Sequence, residues 1–265
     1  MGAGGQNSVA NGQILDINPQ IIRDPAHNKA SWDWVAAHTR AKILPEIEET
    51  SDTGFLSWAV NNPAFSGIVE LSNEPFWTTG HTPYTAQAWV QQWGPVIDFI
   101  KRTYPNVKLT APIDDWPTAH DSSPGTAGWT QQLLAARPAL KTEMYGWAIH
   151  PYCDFGGAPC ALQHLQNGIS ALKANGVSSP HMFATEWGWS RGVVSESTQA
   201  SNAQGFLASA PPELEASFWY QINDNNGTSA RENGFGLYKF LIAGNWGSWT
   251  PAAALNVIKT ASAAA

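Results

Sequence analysis

Two glutamates with polar neighbours are the residues best suited to chemistry in this sequence. Glu74 lies in segment 71–75 (LSNEP), directly after an apolar run, and Glu186 lies in segment 184–188 (ATEWG), after another. Such a pair can cleave a glycosidic bond, because one carboxyl group protonates the leaving oxygen while the other attacks or activates water. We therefore treat Glu74 and Glu186 as the candidate catalytic pair.

Tryptophans near these glutamates could supply flat apolar faces on which sugar rings stack. The chain has 14 tryptophans. Those that follow or end predicted strands are assigned to a substrate cleft: Trp77, Trp116, Trp187, Trp189 and Trp219. Those at helical spacing, such as the pair at positions 89 and 93, are assigned to the core.

The elements that must position these residues form an alternation of strands and helices. Six strands are predicted, at 13–17, 66–71, 107–111, 146–149, 181–185 and 216–222. Helices are predicted at 31–49, 85–103, 130–136, 161–175, 197–209 and from 251 onwards. In the first of them, Pro45 must kink or end the helix. This order is typical of a parallel sheet, which binds ligands at the carboxyl ends of its strands.

Composition limits the class of protein. The chain of 265 residues carries a net charge of −7, which disfavours nucleic acid as a partner, and its 43% hydrophobic content disfavours disorder. It contains neither an apolar run long enough to span a bilayer nor a signal-peptide pattern. We expect one domain, 1–265, with a flexible start at 1–12 and a flexible tail at 260–265. No nucleotide-binding glycine pattern or cluster of metal ligands is present, so no cofactor and no metal is expected.

The two cysteines, Cys153 and Cys160, have six residues between them in segment 151–160 (PYCDFGGAPC). This spacing, with glycines and a proline between them, favours a small loop disulfide. Two free thiols are the alternative, and a zinc site lacks enough ligands. A disulfide would indicate an oxidising compartment, and we therefore expect a secreted protein whose signal peptide is not part of this chain.

Taken in order, the motifs resemble those of the clan A retaining glycoside hydrolases, (β/α)8 barrels that include families 5 and 39. Segment 71–75 resembles the Asn-Glu-Pro signature that ends strand four. Segment 150–152 (HPY) resembles the His-x-Tyr of strand six, and 184–188 resembles the nucleophile segment of strand seven. Segment 218–220 (FWY) resembles strand eight, which carries an active-site tryptophan. Segment 234–238 (GFGLY) resembles the segment that follows strand eight.

The resemblance implies a role for each matching residue. Glu74 would be the acid/base, and Glu186 would be the nucleophile that forms a glycosyl-enzyme. Asn73 would bind the sugar 2-hydroxyl group, Tyr152 would orient Glu186, and His150 would bind the sugar or the acid/base. The tryptophan at 219 would form the platform under the sugar at the cleavage point.

The N-terminal part departs from the family pattern. Segment 15–18 (LDIN) resembles the strand-three motif, with Asn18 where a histidine is usual, so we expect strands one and two to be missing. The arginine that strand two often supplies would then have no counterpart, and Arg23 is interpreted as a surface loop residue. We expect an α/β, TIM-type barrel of about six βα units that is incomplete at its N-terminus.

Removing two strands would expose two barrel edges, at 13–17 and 216–222. The gap could be filled by the N-terminal segment and C-terminal tail, or by a second copy through self-association. Otherwise the chain would be a poorly soluble fragment.

The sequence thus predicts a retaining, endo-type glycosidase acting on a β-linked oligo- or polysaccharide. The alternative is a carbohydrate-binding relic of such a barrel with weak or no activity. A serine hydrolase is disfavoured because the chain lacks a G-x-S-x-G elbow. A cysteine hydrolase is disfavoured because both cysteines lie in one small loop.

Overall fold

Seven parallel strands form the body of the protein. The computed structural model of the chain describes residues 11–24, 27–76, 85–114, 128–224, 229–240 and 249–264. Within these, each strand is hydrogen-bonded to the next in chain order. The strands are β1 (Ile21–Asp24), β2 (Lys42–Ile47), β3 (Ile68–Leu71), β4 (Lys108–Pro112), β5 (Gly146–Ile149), β6 (Met182–Trp187) and β7 (Leu214–Trp219). This order is that of a (β/α) barrel.

Helices connect successive strands and cover the sheet. They are α1 (residues 11–17), α2 (Lys29–His38), α3 (Thr53–Ala59), α4 (Ala86–Thr103), α5 (Trp129–Ala136), α6 (Leu140–Glu143), α7 (Gly157–Ala174), α8 (Glu196–Ala208) and α9 (Ala254–Ala264). Two short 3-10 helices lie at Thr50–Asp52 and Glu232–Gly234, and β8 (Tyr238–Phe240) pairs with β9 (Trp249–Pro251) in a separate antiparallel ribbon.

Local sequence explains where the longer helices begin and which face they bury. Thr85 caps α4 by accepting a hydrogen bond from the amide of Ala88 at 3.1 Å. The tryptophans at 89 and 93 and the isoleucine at 97 recur at four-residue spacing and are buried against the strands. Helix α7 ends at Gly176, whose φ of 90° is a left-handed value that favours glycine.

The barrel interior is filled by residues from two strand pairs that lie apart in the sheet, β2–β3 and β6–β7. Leu44, Ile68, Phe183 and Phe218 form one buried cluster, although they come from β2, β3, β6 and β7. Strand positions of the other parity, such as the valine at 69, pack against the helices. Each strand is therefore covered on both faces, as expected for a parallel barrel.

The strand count predicted from the sequence is wrong. Residues 13–17 belong to α1, while β1 and β2 lie in segments predicted as a loop and as part of a helix. Two strands therefore precede β3, and the described residues form seven parallel strands rather than the six predicted. Position 45 explains part of the error, because Pro45 sits in β2, opposite Asp24 of β1.

The barrel has a seam between its first and last strands. Within the described residues, β1 and β7 end the seven-stranded order and are not paired with each other. One edge, β7, overlaps the predicted edge at 216–222, whereas the other edge is β1 and not 13–17. A cavity of about 450 Å³ at the seam is lined by both strands and by Ile258 and Ala261 of α9. Helix α9 is also tied to α1 by the ion pair between Lys259 and Asp16 (2.6 Å), so the chain covers its own seam.

The ends of the chain differ from the flexible segments predicted for them. Positions 11 and 12 begin α1, and residues 1–10 lie outside the described residues. Helix α9 continues to Ala264, so residues 260–264 are helical. In the part of the chain that the structure describes, no helix combines the length and apolar character needed to cross a membrane.

Candidate active site

The polar residues singled out from the sequence meet at the carboxyl ends of the strands. Glu74 follows β3, His150 and Tyr152 follow β5, and Glu186 lies near the end of β6. Since parallel strands bring these ends to one side of the barrel, residues more than a hundred positions apart in the chain become neighbours. The structure thus brings both candidate glutamates to one site.

A β-bulge aims Glu186 into this site. Ala184 pairs with Ser217 and Trp187 pairs with Trp219, so three steps along β6 match two steps along β7. The extra residue in β6 changes the direction of the side chains at that point. As a result Glu186 faces the other strand ends, while Trp187 faces the helices.

Glu186 is surrounded by hydrogen-bond donors. Arg23 donates from Nη1 to Oε1 at 2.6 Å, and the Tyr152 hydroxyl donates to Oε2 at 2.9 Å. His150 Nδ1 lies 3.7 Å from the same Oε2. Burial alone would raise the pKa of Glu186, but His150, Arg23 and Tyr152 together lower it below its ordinary value. Glu186 is therefore held as a carboxylate.

Glu74 has a different setting. Its Oε1 lies 2.8 Å from His150 Nδ1, and its side chain is 23% exposed. The backbone at Glu74 has a φ of 36°, a left-handed value that non-glycine residues adopt only at a cost in free energy. Ser72 has a φ of 62°, so the turn after β3 is strained at two positions close to the site.

His150 links the two glutamates. Its Nε2 lies 3.1 Å from the Thr185 hydroxyl oxygen, so both ring nitrogens have partners. Burial opposes the charged ring, but the carboxylates of Glu186 and Glu74 outweigh burial and raise the pKa of His150 to about 9. The ring is therefore protonated at neutral pH and lies between two acidic groups.

Arg23 is the main correction to the site. It was interpreted as a surface loop residue, but it lies in β1 and its side chain is only 9% exposed. Its guanidinium group contacts Glu186, Glu70 and Glu46 at 2.6, 2.5 and 2.7 Å, and it donates to Asn73 Oδ1 at 3.0 Å. Arg23 is therefore the arginine of the candidate site, for which the sequence analysis found no counterpart.

Sequence reasoning also missed two glutamates beside Arg23. Glu70 is buried inside the apolar strand β3, and a charged residue within such a run is the signal that could have found it. Glu46 is buried in β2, which was predicted as helix, so its inward direction was hidden.

Two of the predicted platform tryptophans are core residues. Trp187 and Trp189 are each 1% exposed, so neither presents a face to a sugar. Trp187 stacks on Phe206 of α8 at a centroid distance of 4.4 Å. The error has a simple cause: neighbours in a strand point to opposite faces, so adjacency to Glu186 in sequence does not place Trp187 in the cleft.

The other predicted binding residues have mixed outcomes. Trp219 is half-buried and borders the cavity at the site, and its indole donates to the Phe235 carbonyl oxygen at 2.9 Å. Asn18 is exposed and ends α1 with a φ of 51°, so it does not take the place of a strand-three histidine. Trp77 and Trp116 lie outside the described residues.

The predicted disulfide between Cys153 and Cys160 is present. It joins the segment after β5 to α7, directly beside Tyr152, and Trp189 donates to the Cys153 carbonyl oxygen at 2.7 Å. His164 lies close to both sulfurs. Because both sulfurs are oxidised, this group offers no thiolate to a metal ion.

A cavity of about 550 Å³ opens above the seam and reaches the site. Its lining includes Arg23, Glu46, Asn73 and Glu186, together with Trp219. Asp114, after β4, caps α5: its carboxylate accepts hydrogen bonds from the amides at 129 and 130. The cavity therefore places an ionised glutamate, an arginine and an amide along one wall.

Comparison with solved structures identifies the fold. The chain is similar to a family 39 glycoside hydrolase from the gut symbiont Bacteroides cellulosilyticus WH2, with a TM-score of 0.63 and 17% identity over 97% of this chain and 60% of that chain. It is also similar to a family 128 curdlan-specific exo-β-1,3-glucanase from Blastomyces gilchristii, with a TM-score of 0.59 and 15% identity over 94% and 93% of the two chains.

A third similar structure, described with two plant β-glucan endohydrolases, has a TM-score of 0.59 and 16% identity over 88% of this chain and 92% of that chain. No protein-family model matches the chain, and no curated protein matches it. The chain spans 60% of the length of the family 39 enzyme. At these identities the likeness concerns the fold alone: the chain is a (β/α) barrel with seven parallel strands in its described part.

Proposed function

We propose that the protein hydrolyses β-glycosidic bonds in a polysaccharide by a retaining double displacement, with Glu186 as nucleophile and Glu74 as acid/base. One observation carries this proposal: Glu186 is held ionised by His150, Arg23 and Tyr152, and Glu74 contacts the same ring nitrogen of His150 that faces Glu186. One carboxylate is thus prepared to attack, and the other is placed to exchange a proton.

The spacing of the two carboxyl groups supports retention over inversion. Both groups approach the same ring nitrogen of His150, at 2.8 Å for Glu74 Oε1 and 3.7 Å for Glu186 Oε2. Those two oxygens are therefore at most about 6.5 Å apart, the lower end of the inverting range of about 6.5–9.5 Å. Retaining pairs are separated by about 5–5.5 Å, which leaves no room for an intervening water.

Each neighbour then has a chemical task. In the first step Glu186 attacks the anomeric carbon while Glu74 donates a proton to the leaving oxygen. In the second step Glu74 takes a proton from the water that hydrolyses the glycosyl-enzyme. Tyr152 and Arg23 orient Glu186, Asn73 is placed to bind the sugar 2-hydroxyl group, and Trp219 borders the cavity as the remaining platform.

A β-glucan is the substrate that the comparisons favour. The two similar structures whose length this chain nearly spans are described as a curdlan-specific exo-β-1,3-glucanase and as a β-glucan endohydrolase. We propose endo-type action on such a polymer. Export is proposed from the disulfide, because disulfides persist in oxidising compartments.

Hydrolysis of a polysaccharide panel tests the function. The full chain is incubated with curdlan, laminarin, cellulose derivatives and xylan, and reducing ends are counted. We expect release from a β-glucan, with the β-anomer appearing first in proton NMR spectra because retention preserves configuration. First appearance of the α-anomer would contradict retention, and no release from any β-glycan would contradict the proposed activity.

Carbohydrate binding without turnover is the second candidate. The unpaired seam between β1 and β7 favours it, because Arg23, which orients the nucleophile, stands on the strand beside that seam. Binding of laminarin with no release of reducing ends would support this candidate. Self-association through the β1 and β7 edges stays a prediction, which size-exclusion chromatography tests.

A further inference from the structure

Three buried carboxyl groups share one arginine beside the candidate nucleophile, and one of them has an oxygen facing no partner. Arg23 contacts Glu186, Glu70 and Glu46 within 2.7 Å. Glu70 uses both of its oxygens on Arg23, at 2.5 and 3.3 Å. Glu46 uses only Oε2, while its Oε1 is buried and has no hydrogen-bond partner among the described residues.

This free oxygen belongs to a side chain that is 1% exposed and lines the same cavity as Glu186 and Asn73. A buried polar atom without a partner costs free energy, so its presence calls for a ligand. Glu46 and Glu186 are held by the two terminal nitrogens of one guanidinium group, so they are close neighbours. A sugar whose anomeric carbon reaches Glu186 would present a hydroxyl group near Glu46.

The charges around Glu46 decide which form of the carboxyl group is present. Glu46 and Glu70 are direct register partners on the neighbouring strands β2 and β3, so their side chains lie next to each other on the same face of the sheet. Arg23 is the cation in contact with Glu46, while Glu48 and Glu186 add further negative charge. Burial, followed by these carboxylates, outweighs Arg23 and raises the pKa of Glu46 to about 8.

We propose that Glu46 is a substrate-binding residue, present as a neutral carboxylic acid, that binds a hydroxyl group of the neutral sugar next to the nucleophile. This inference rests on the proposed function and narrows its substrate class. A neutral carboxyl group has one donor and one acceptor site, which match the two roles of a sugar hydroxyl. A uronic acid is disfavoured, because its carboxylate would lie beside Glu70 and Glu186.

Deoxy substrates test the contact directly. The probes are 2,4-dinitrophenyl β-glucoside and its 2-, 3-, 4- and 6-deoxy analogues, assayed with the wild type, Glu46→Leu and Glu46→Gln. We expect one analogue on which the wild type loses about tenfold in kcat/KM, the size of one hydrogen bond. Glu46→Leu should lose about the same on the parent glucoside and nothing more on that analogue. Glu46→Gln keeps a donor and an acceptor and should stay within about threefold of the wild type.

A control carboxylate lies away from the cavity. Asp98 is exposed on α4 and pairs with Arg137, so Asp98→Asn removes a carboxylate without touching Arg23. It should show the wild-type pattern on every analogue. If Glu46→Leu loses the same factor on all five glucosides, Glu46 acts only through Arg23 and the proposal is overturned. Preference of the wild type for the 2-amino-2-deoxy glucoside would also overturn it, because an amine requires the ionised form.

Two further measurements separate this inference from the proposed activity. Difference infrared spectroscopy of the free protein should show a neutral buried carboxylic acid at pH 7 that is absent in Glu46→Gln, and its absence in the wild type would overturn the protonation state. If the wild type cleaves no glucoside, binding of laminaritriose is followed by tryptophan fluorescence in the same variants. Weaker binding by Glu46→Leu but not by Asp98→Asn then supports the contact although the activity has failed. No binding by the wild type overturns both.

Discussion

The surroundings of Glu186 and Glu74 differ in kind. Glu186 receives hydrogen bonds from Arg23 and Tyr152, is 15% exposed and sits on a bulge in a paired strand. Glu74 has His150 as its contact among the described side chains, is 23% exposed and sits in a strained turn. The surroundings of Glu186 stabilise its ionised form. The surroundings of Glu74 instead leave its carboxyl group beside a proton donor, His150.

This difference suits two steps of one reaction. A nucleophile must be ionised before substrate arrives, so fixed donors around it are useful. An acid/base must lose and regain a proton in each cycle, so a neighbour that can exchange a proton is useful, and His150 is the titratable group in contact with Glu74. The asymmetry between the two sites therefore supports the assignment of roles more strongly than their sequence motifs do.

Replacing the nucleophile should have the largest effect. Glu186→Gln keeps the shape of the side chain but removes the attacking charge, so we expect kcat to fall by about four orders of magnitude on every substrate. The loss should be the same for laminarin and for an activated aryl glucoside. Glu196→Gln, an exchange on the distant helix α8, is the control and should stay close to wild type. Residual activity of more than a few per cent in Glu186→Gln would mean that another group is the nucleophile.

Replacing the acid/base should give a loss that depends on the leaving group. Glu74→Gln should reduce kcat/KM about 10²–10⁴-fold on laminarin, because the sugar leaving group needs a proton. On 2,4-dinitrophenyl β-glucoside, whose leaving group needs none, the first step should be nearly unchanged, and a pre-steady-state burst should report it. If Glu74→Gln and Glu186→Gln behave alike on both substrates, the assigned roles are wrong.

Removing Arg23 should affect the Glu186 side alone. Arg23→Gln leaves three buried carboxyl groups without their cation, so we expect a loss of about 3–5 kcal/mol in the free energy of unfolding. It should also raise the pKa of Glu186 and shift the acidic limb of the activity profile upward. Chemical denaturation and pH profiles measure both effects. Arg102→Gln, at an exposed position, should change stability by less than about 0.5 kcal/mol, and an equal effect of the two exchanges would refute the buried cluster.

Sequence reasoning succeeded where a strand and the polar residues that follow it lie in one short segment. Strands β3 to β6 are apolar runs that end in LSNEP, APID, HPY and TEW, and all four lie where expected to within two residues. Helices α4, α7 and α8 were predicted at 85–103, 161–175 and 197–209, and each observed end lies within four residues of its prediction. Such features are local, so a single sequence reveals them.

The errors concern properties that only the assembled barrel decides. The stretch 42–49 (KILPEIEE) has charges that fit a helix, and only pairing with β1 and β3 makes it a strand. Arg23 is meaningful only once Glu70 and Glu186 face it from two other strands. The bulge in β6 is likewise a matter of register with β7. A local sequence pattern therefore cannot reveal the strand pairing, the partners of Arg23 or the bulge.

The dependence of stability on pH should give the smallest effect. Through His150 it distinguishes the surroundings of Glu74 from those of Glu186. The folded-state pKa of His150, about 9, and that of Glu46, about 8, both exceed the ordinary values of these groups. Each therefore contributes stability that is complete below its ordinary pKa and is lost as pH rises, through about 8 for Glu46 and through about 9 for His150. We expect the melting temperature to fall between pH 6.5 and pH 9, by about 2–4 °C per kcal/mol lost. His150→Gln should flatten the plot of melting temperature against pH between pH 8 and pH 9, and Glu46→Gln should flatten it below pH 8. His38→Gln, at an exposed position, should leave the plot unchanged. A melting temperature that does not fall over this range in the wild type would show that His150 is neutral, and that Glu74 has no proton donor beside it.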